Sequence, residues 1–161
     1  MALTAHIGIG ANLGDARATV QAALQALASL PGCSLRQMSS VYRSAPVDAG
    51  GPDFYNAVAV LDTTLTPAAL LGALQAIEQN FGRQRPFVNA PRTLDLDLLL
   101  AGDQVVNTPV LTVPHPRLHQ RAFELLPLLE LNPALAAPGL GPLASYLPTT
   151  AGQRIERLPS P

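Results

Sequence analysis

The segment from Ala90 to Leu100 constrains the fold most, because it sets two aspartates inside a run of leucines. Side chains of a β-strand alternate between its two faces. A strand here therefore directs both aspartates, Asp95 and Asp97, to one face and four leucines to the other: Leu94, Leu96, Leu98 and Leu100. Nearly continuous leucines are typical of a strand in the core of a sheet. Because unpaired buried charge is costly, we expect a positive group beside the two carboxylates.

Asp95 and Asp97 form a candidate metal site. Neighbours on one face of a strand lie roughly 6–7 Å apart, a spacing at which two carboxylates can hold one hard cation or bridge two. Mg²⁺ prefers oxygen ligands and commonly binds through one or two carboxylates together with phosphates. Arg92, just before the strand, indicates a nearby anion. The alternative is an edge strand whose aspartates only face water.

Length and charge limit the classes of protein. A chain of 161 residues has enough material for one domain with a substantial core, and we expect residues 1–161 to form a single domain. Ten basic and eleven acidic residues nearly cancel, so no global field favours nucleic acid or a membrane surface. Any anion must be bound by local groups.

The cysteine content and the lack of a leader favour a cytoplasmic location. Cys33 is the single cysteine and has no partner for an intramolecular disulfide. The sequence shows neither a charged-then-apolar leader nor a long apolar span.

The order of predicted elements is β-α-β-β-α-β, which is typical of a ferredoxin-like α+β domain. The predicted strands are residues 6–10, 35–42, 57–61 and 94–100. Asp15 and Thr66 predict the starts of two helices, because their side chains can accept hydrogen bonds from first-turn N–H groups, and Pro67 is favoured at the first helical position. The apolar faces are Val20, Leu24, Leu27 and Leu30 in the first helix and Leu70, Leu71, Leu74 and Ile77 in the second.

The remainder of the chain is less regular. We expect a short strand at residues 104–106, a proline-bounded segment at 111–113 and a helix near 123–129. Residues from about 134 to 161 are poorly patterned and predict a C-terminal extension with one short helix after Leu143 and little else.

Arginines after the second predicted helix are the better candidates for phosphate binding. Gly8, Gly10 and Gly14 have neither dinucleotide-fingerprint nor Walker A spacing, so we discount them as a phosphate cradle. The three arginines are Arg83, Arg85 and Arg92, and guanidinium groups match phosphate oxygens in bidentate fashion. The alternative is a solvated polar loop.

Two further candidates are the pair of Gln75 with Glu78 and the single residue His115. Gln75 and Glu78 share a face of the second predicted helix, as surface residues often do by chance. Pro114 and Pro116 restrict the backbone around His115, which favours a fixed imidazole able to donate to a phosphate; the alternative is an ordinary surface histidine.

Together these residues resemble the 6-hydroxymethyl-7,8-dihydropterin pyrophosphokinases, enzymes of folate biosynthesis that move a pyrophosphoryl group from ATP to a pterin alcohol, leaving AMP. The segment 90–99 is similar to the family signature. Supporting similarity lies at residues 9–14, 42–44, 53–56, 82–85, 112–117 and 121–123, and the resemblance extends from about residue 7 to about 133.

The resemblance implies roles for individual residues. Asp95 and Asp97 would bind two Mg²⁺ ions that bridge the ATP phosphates, and Arg83 and Arg92, with Arg85, would neutralise charge on the moving pyrophosphate. The implied ATP-binding set is Gln75, Glu78, Arg85, Leu98, Thr112, His115 and Arg121. The implied pterin-binding set is Ser44, Ala45, Pro46, Val47, Phe54, Asn56 and Phe123.

Within the pterin set, Asn56 would hydrogen-bond the ring edge and the two phenylalanines would stack on its faces. The implied partners are the small molecules ATP and hydroxymethyl dihydropterin, with no nucleic acid and no membrane, and the protein is expected to be a monomer. Phe54 stands where some relatives have tyrosine, and Val88 and Asn89 depart from the family pattern.

Two other function classes fit part of the pattern. A Mg²⁺-dependent nucleotidyltransferase on the same scaffold would also use paired acids and arginines, but it would release pyrophosphate rather than AMP. A binding module for RNA or a small effector is less favoured, because the chain lacks a basic face and paired sheet aromatics.

Overall fold

The computed structural model describes residues 2–46, 51–82 and 94–159. The predicted arginines Arg83, Arg85 and Arg92 lie outside these described residues, as do Val47 and the departures from the family pattern at Val88 and Asn89.

The described part of the chain contains both helices and strands. The helices are α1 (Ala16–Ala28), α2 (Pro67–Gly82), α3 (Ala122–Leu131) and α4 (Leu147–Thr150). The strands are β1 (Leu3–Ala11), β2 (Cys33–Met38), β3 (Tyr42–Ser44), β4 (Phe54–Thr63), β5 (Asp95–Ala101), β6 (Val106–Asn107), β7 (Thr112–Val113), β8 (Ala136–Ala137), β9 (Gly141–Pro142) and β10 (Ile155–Arg157). Short 3-10 segments lie at Leu118–Gln120 and Leu143–Tyr146. The expected mixture of helices and strands is confirmed.

The main sheet is antiparallel and runs in the order β10-β3-β4-β1-β5, with β2 also paired to β4. β1 lies between β4 and β5, so it aligns residues of both neighbours along one line across the sheet. Gly10, for example, is opposite Asn56 of β4 and Asp95 of β5. This alignment brings together the ends of strands that the sequence separates by almost forty residues.

Both predicted helix starts are confirmed. Asp15 Oδ1 accepts a hydrogen bond from the backbone N–H of Ala18 at 3.2 Å, and Thr66 Oγ1 accepts one from the backbone N–H of Ala69 at 3.2 Å. Each side chain satisfies a first-turn donor that has no partner within its helix.

The single strand predicted at residues 35–42 is wrong, because the chain forms β2 and β3 with a break between them. Ser39 causes the break. Its backbone N–H donates to the carbonyl of Val58 at 2.8 Å, and its Oγ accepts from the N–H of Val58 at 2.9 Å. A side chain thus replaces one rung of the strand ladder, and the chain resumes pairing with β4 only at Tyr42.

The sheet has an apolar cluster on each face. The first cluster packs α1 and α2 against alternate residues of β1, β4 and β5, including Ile7, Ile9, Leu94, Leu96 and Leu98. The second cluster packs α3 and the chain that follows it on the opposite face, around Val58, Leu99, Leu100, Leu118, Leu125, Leu128, Ala137 and Leu143.

The predicted alternation of β5 holds through Leu98 and is wrong at Leu100. Ile7 is opposite Leu98 while the preceding His6 is opposite Leu100, so Leu99 is an extra residue in the ladder. A β-bulge of this kind changes which face the following side chains reach. Leu99 and Leu100 therefore both join the second cluster, with α3.

The chain after Leu143 contains more than the short helix predicted there. The helical turn is present as α4, but β10 also joins the main sheet, pairing Ile155 with Ser44 and Arg157 with Tyr42. Glu130 of α3 supports this edge by accepting from Tyr42 Oη at 2.8 Å and pairing with Arg157 at 3.2 Å. In the described ranges, no helix combines the length and apolar character needed to cross a membrane.

Candidate active site

Three adjoining clefts open along the α3 side of the sheet and beside β5. The first cleft, of about 330 Å³, is lined by Gly8, Ile9, Gly10, Phe54, Asn56, Ala57, Asp95, Asp97, His115, Arg121, Phe123 and Glu124. The second cleft, of about 230 Å³, is lined by Ser44, Ala45, Phe54, Arg117, Gln120, Arg121 and Phe123. The third cleft, of about 270 Å³, is lined by Leu71, Leu96, Asp97, Leu98, Pro109, Val110, Leu111, Thr112, His115 and Pro116.

The clefts share walls. Phe54, Arg121 and Phe123 line both the first and the second cleft, while Asp97 and His115 line both the first and the third. A molecule in the second cleft and another in the third would therefore meet in the first cleft, beside Asp97.

Glycines of β1 leave room for the floor of the first cleft. Gly8 lies opposite Asp97, and Gly10 lies opposite Asp95. A Cβ at Gly10 would stand 3.3 Å from Asn56 Nδ2, and one at Gly8 would stand 3.3 Å from Leu99 Cδ1. Gly8 and Gly10 are therefore small residues inside a central strand.

Asp95 and Asp97 reach the cleft for the reason that the sequence predicted. The leucines on either side, Leu94, Leu96 and Leu98, are buried in the first cluster, so the aspartates project from the other face and are half-buried. β5 ends the main sheet in the described part of the chain, as the alternative interpretation required. Its aspartates nevertheless line a cleft rather than open surface.

The imidazole of His115 and the guanidinium of Arg121 flank Asp97. His115 Nε2 lies 3.9 Å from Asp97 Oδ1, and Arg121 Nη1 lies 4.0 Å from Asp97 Oδ2. The expected positive neighbour of the aspartates is thus found in Arg121, which follows β5 in the chain.

His115 is oriented by its backbone and by its own Nδ1. Its N–H donates to the carbonyl of Leu99, the bulged residue, at 3.0 Å, and Nδ1 accepts from the N–H of Arg117 at 3.2 Å. Burial lowers the pKa of His115; Asp97 opposes the shift, and Arg121 and Arg117 reinforce it. The neutral ring then carries its proton on Nε2, facing Asp97.

Asn56 has one fixed acceptor and one open donor. Ser44 Oγ donates to Asn56 Oδ1 at 2.7 Å, and both residues are buried. The Nδ2 group lies over Gly10 at the cleft floor. Asn56 consequently presents N–H donors to whatever the cleft holds.

Glu124 is a cleft residue that the sequence did not predict. This residue is only 2% exposed, lines the first cleft, and holds Arg121 through Oε1 at 3.1 Å from Nη1. Its Oε2 has no hydrogen-bond partner among the described residues. Burial raises the pKa of Glu124 to about 7; Arg121 opposes the shift and Asp97 adds to it.

Sequence spacing contained a signal for Glu124. It stands three residues after Arg121, the spacing at which helix residues meet, but the same spacing is common on solvated helix faces. Arg117 and Gln120 were also missed, and both line the second cleft.

The two polar residues of α2 are placed differently. Glu78 Oε2 accepts from the backbone N–H of Leu96 at 2.9 Å, so it contacts β5 between the two aspartates. Gln75 is exposed one turn earlier and is not in the walls of the three clefts. The ATP-binding role of both residues stays a prediction.

The remaining predicted residues divide between the clefts. Leu98 and Thr112 line the third cleft, and Ser44 and Ala45 line the second. Pro46 follows Ala45 and is half-buried. In the described ranges no group of three or more histidine, cysteine, aspartate or glutamate side chains could hold a metal ion.

Comparison with known proteins matches residues 6–133 to the model of the 7,8-dihydro-6-hydroxymethylpterin-pyrophosphokinase (HPPK) family. A Pseudomonas aeruginosa protein, named 2-amino-4-hydroxy-6-hydroxymethyldihydropteridine pyrophosphokinase, is 46% identical over 155 residues, covering 96% of each chain. A Haemophilus influenzae protein of the same name is 41% identical over 137 residues, covering 84% of this chain and 86% of its own.

Solved structures give the same fold. A Plasmodium falciparum HPPK-DHPS chain crystallised with SDX-DHP matches with a TM-score of 0.73 at 14% identity, over 91% of this chain. This chain spans 44% of that longer chain. The family model covers β1 to α3, the elements that line all three clefts, and near-full-length relatives bear the same name. The chain therefore belongs to the 7,8-dihydro-6-hydroxymethylpterin-pyrophosphokinase family.

Proposed function

We propose that this protein transfers a pyrophosphoryl group from ATP to 6-hydroxymethyl-7,8-dihydropterin, giving AMP and the pterin diphosphate, in folate biosynthesis. The observation that carries the proposal is the position of Asp97, where an aromatic cleft with a hydrogen-bonding floor meets an apolar cleft beside β5. Two substrates of unlike chemistry would converge on that point.

The first and second clefts suit a flat bicyclic ring. Phe54 and Phe123 provide aromatic surfaces for stacking, and Asn56 offers its Nδ2 donors at the floor. Ser44 and Ala45 line the second cleft, and the backbone from Ser44 through Pro46 to Val47 is proposed to complete the pterin pocket. A few fixed polar groups among aromatic walls are typical of a site that orients one small molecule.

The third cleft suits the base of a nucleotide. Leu71, Leu98, Val110 and Leu111 give it apolar walls, and Thr112 adds a polar group. Asp97 and His115 stand where this cleft joins the first. A nucleotide lying with its base here would extend its phosphates toward the two aspartates.

In the proposed reaction the hydroxymethyl oxygen of the pterin bonds to the β-phosphorus of ATP. The bond from that phosphorus to the oxygen bridging the α- and β-phosphates breaks, AMP carries away the electron pair, and the hydroxyl loses its proton. Such transfers depend on positioning and charge compensation rather than on a covalent nucleophile. Arg121 and the Nε2–H of His115 supply donors at the point of transfer, and we assign no general base.

Asp95 and Asp97 suit the oxygen preference of Mg²⁺, because both carboxylates project to the cleft side of one strand. Phosphate oxygens would complete the coordination, as is usual for this ion. We propose that the two aspartates hold two ions, which when bound neutralise phosphate charge. The arginines Arg83, Arg85 and Arg92 are proposed as further phosphate contacts.

We also propose that the chain forms a single domain with a ferredoxin-like arrangement of strands. The strand order β5-β1-β4, continued by β2 and β3, supports a ferredoxin-like arrangement of the first four predicted strands. Clusters on both faces of one sheet support a single domain. We further propose that the enzyme is a cytoplasmic monomer acting on small molecules only.

The decisive experiment mixes the protein with ATP, Mg²⁺ and 6-hydroxymethyl-7,8-dihydropterin and separates the products. We expect AMP and a diphosphorylated pterin; released pyrophosphate would instead indicate nucleotidyl transfer. Asp97→Asn should lower kcat by at least about 10²-fold, since an amide is a weaker ligand than a carboxylate for the proposed Mg²⁺ ions. Asp103→Asn is the matched control, because Asp103 is exposed in the turn after β5.

A further inference from the structure

The C-terminal segment 153–155 contacts both walls of the second cleft. One wall comes from β3 and the start of β4 and carries Ser44, Ala45 and Phe54. The other comes from the 3-10 segment Leu118–Gln120 and the start of α3 and carries Phe123. Each wall supplies one of the two phenylalanines, so the space between the aromatic rings depends on how the walls are held together.

Gln153 binds the α3 wall through both ends of its amide. Its Oε1 accepts from the backbone N–H of Ala122 at 2.8 Å, and its Nε2 donates to the carbonyl of Gln120 at 2.8 Å. Ala122 is the first residue of α3, and Arg121 makes no side-chain cap there. Gln153 therefore satisfies a helix-end N–H that would otherwise need water.

The next two residues bind the β3 wall. The carbonyl of Arg154 accepts from the N–H of Ala45 at 3.1 Å, and Ile155 pairs with Ser44 in the sheet. The exposed ion pair of Arg154 with Asp53, at 3.4 Å, adds little by itself. Consecutive residues of one short segment thus hold opposite walls of the cleft.

We propose that Gln153 is a positioning residue for pterin binding, because its two hydrogen bonds fix the α3 wall, and with it Phe123, against the wall that carries Phe54 and Asn56. This inference rests on the proposed function for the identity of the ligand. The segment lies beyond residues 6–133, which the family model matches, so it is a contribution of the chain outside that region.

The test compares Gln153→Ala with Arg157→Ala, which removes contacts of the same terminal strand to Ser40 and Glu130 without touching the second cleft. Without its two contacts the α3 wall has to be ordered again when the pterin binds, so Kd and KM for the pterin should rise about 10- to 30-fold. Kd for a non-hydrolysable ATP analogue should change less than about 2-fold. Gln153→Glu, which keeps the acceptor for Ala122 and loses the donor, should lie between wild type and Gln153→Ala.

A second readout needs no pterin. Hydrogen exchange of the free protein should speed up in Gln153→Ala at the start of α3 and at Ala45, and Arg157→Ala should leave exchange at the start of α3 unchanged. Unchanged exchange at both places would overturn the proposal.

Kinetics separate this proposal from the proposed function. A wild-type enzyme that forms no AMP overturns the proposed function, and the contact between the walls is then judged by exchange alone. A wild-type enzyme that forms AMP, with Gln153→Ala unchanged in pterin KM, overturns only the role of Gln153. Equal losses in Arg157→Ala would also overturn it, since they would show general loosening of the C-terminal strand.

Discussion

Arg121 Nη1 lies 3.1 Å from Oε1 of Glu124, one turn further along α3. The glutamate is almost fully buried and the arginine lines both the first and the second cleft. A buried acid therefore fixes the direction of a cation that lines both clefts, and the energetic link between the two side chains can be measured.

A double-mutant cycle should show that Glu124 acts through Arg121. Arg121→Ala removes a donor that is proposed to contact the phosphates and should lower kcat/KM by about 10²-fold or more. Glu124→Ala should cost about 10-fold or more, because misplaced catalytic groups lose rate steeply. The double variant should match Arg121→Ala within about 3-fold, and full additivity would contradict the coupling.

Glu124 should also shape the dependence of stability on pH. Burial raises the pKa of Glu124 to about 7 from an ordinary value of 4.5, so between these values the folded protein keeps a proton that the unfolded chain has released. The free energy of unfolding contributed by Glu124 therefore falls as pH rises through that window.

Glu124→Gln, which cannot ionise, removes this loss. Relative to wild type, its free energy of unfolding should rise between pH 4.5 and pH 7.5 by on the order of 2–3 kcal/mol. Urea denaturation of the metal-free protein at several pH values gives the measurement. Parallel curves for the two proteins would argue against a buried, titrating carboxyl group.

Ser44→Ala should weaken pterin binding without affecting ATP. The variant leaves Asn56 Oδ1 without its 2.7 Å donor, which frees the amide to turn away from the substrate. We expect pterin KM to rise by about 5- to 10-fold, the effect of about 1 kcal/mol. Ser34→Ala on exposed β2 is the control, and an equal rise in ATP KM would point to general damage.

A substitution at Val110 tests whether ATP binds in the third cleft. It is 80% exposed and lines that cleft, while Val105 is 69% exposed and does not. Val110→Asp places a negative charge beside the proposed base and triphosphate and should raise ATP KM by about 10-fold, with pterin KM unchanged. Val105→Asp, the matched control, should leave both constants unchanged.

Local signals in the sequence predicted those parts of the fold that depend on single residues, such as the helix starts. Asp15 and Thr66 cap helices as expected, and Asp95 and Asp97 share a face because strand geometry requires it. Family membership, inferred from the motifs, is confirmed. The roles assigned to individual site residues stay predictions.

Features that depend on distant partners were not predictable in this way. β10 is three residues long and is stabilised by pairing with β3 more than 100 residues earlier, so it has no periodic pattern to detect. The leucine at position 99 does not differ from its neighbours in type. Leu99 forms a bulge because no residue of β1 is opposite it. That pairing cannot be read from the sequence of β5 alone.

That bulge has a consequence for how β5 tolerates change. Removing one leucine from the run 98–100 would alter the hydrophobic content of the strand very little. It would nevertheless close the bulge, remove the buried Leu99 side chain from the second cluster, and withdraw the carbonyl that anchors His115. At this strand, residue count matters more than residue type, and a single deletion should be far more damaging than any leucine-to-isoleucine replacement.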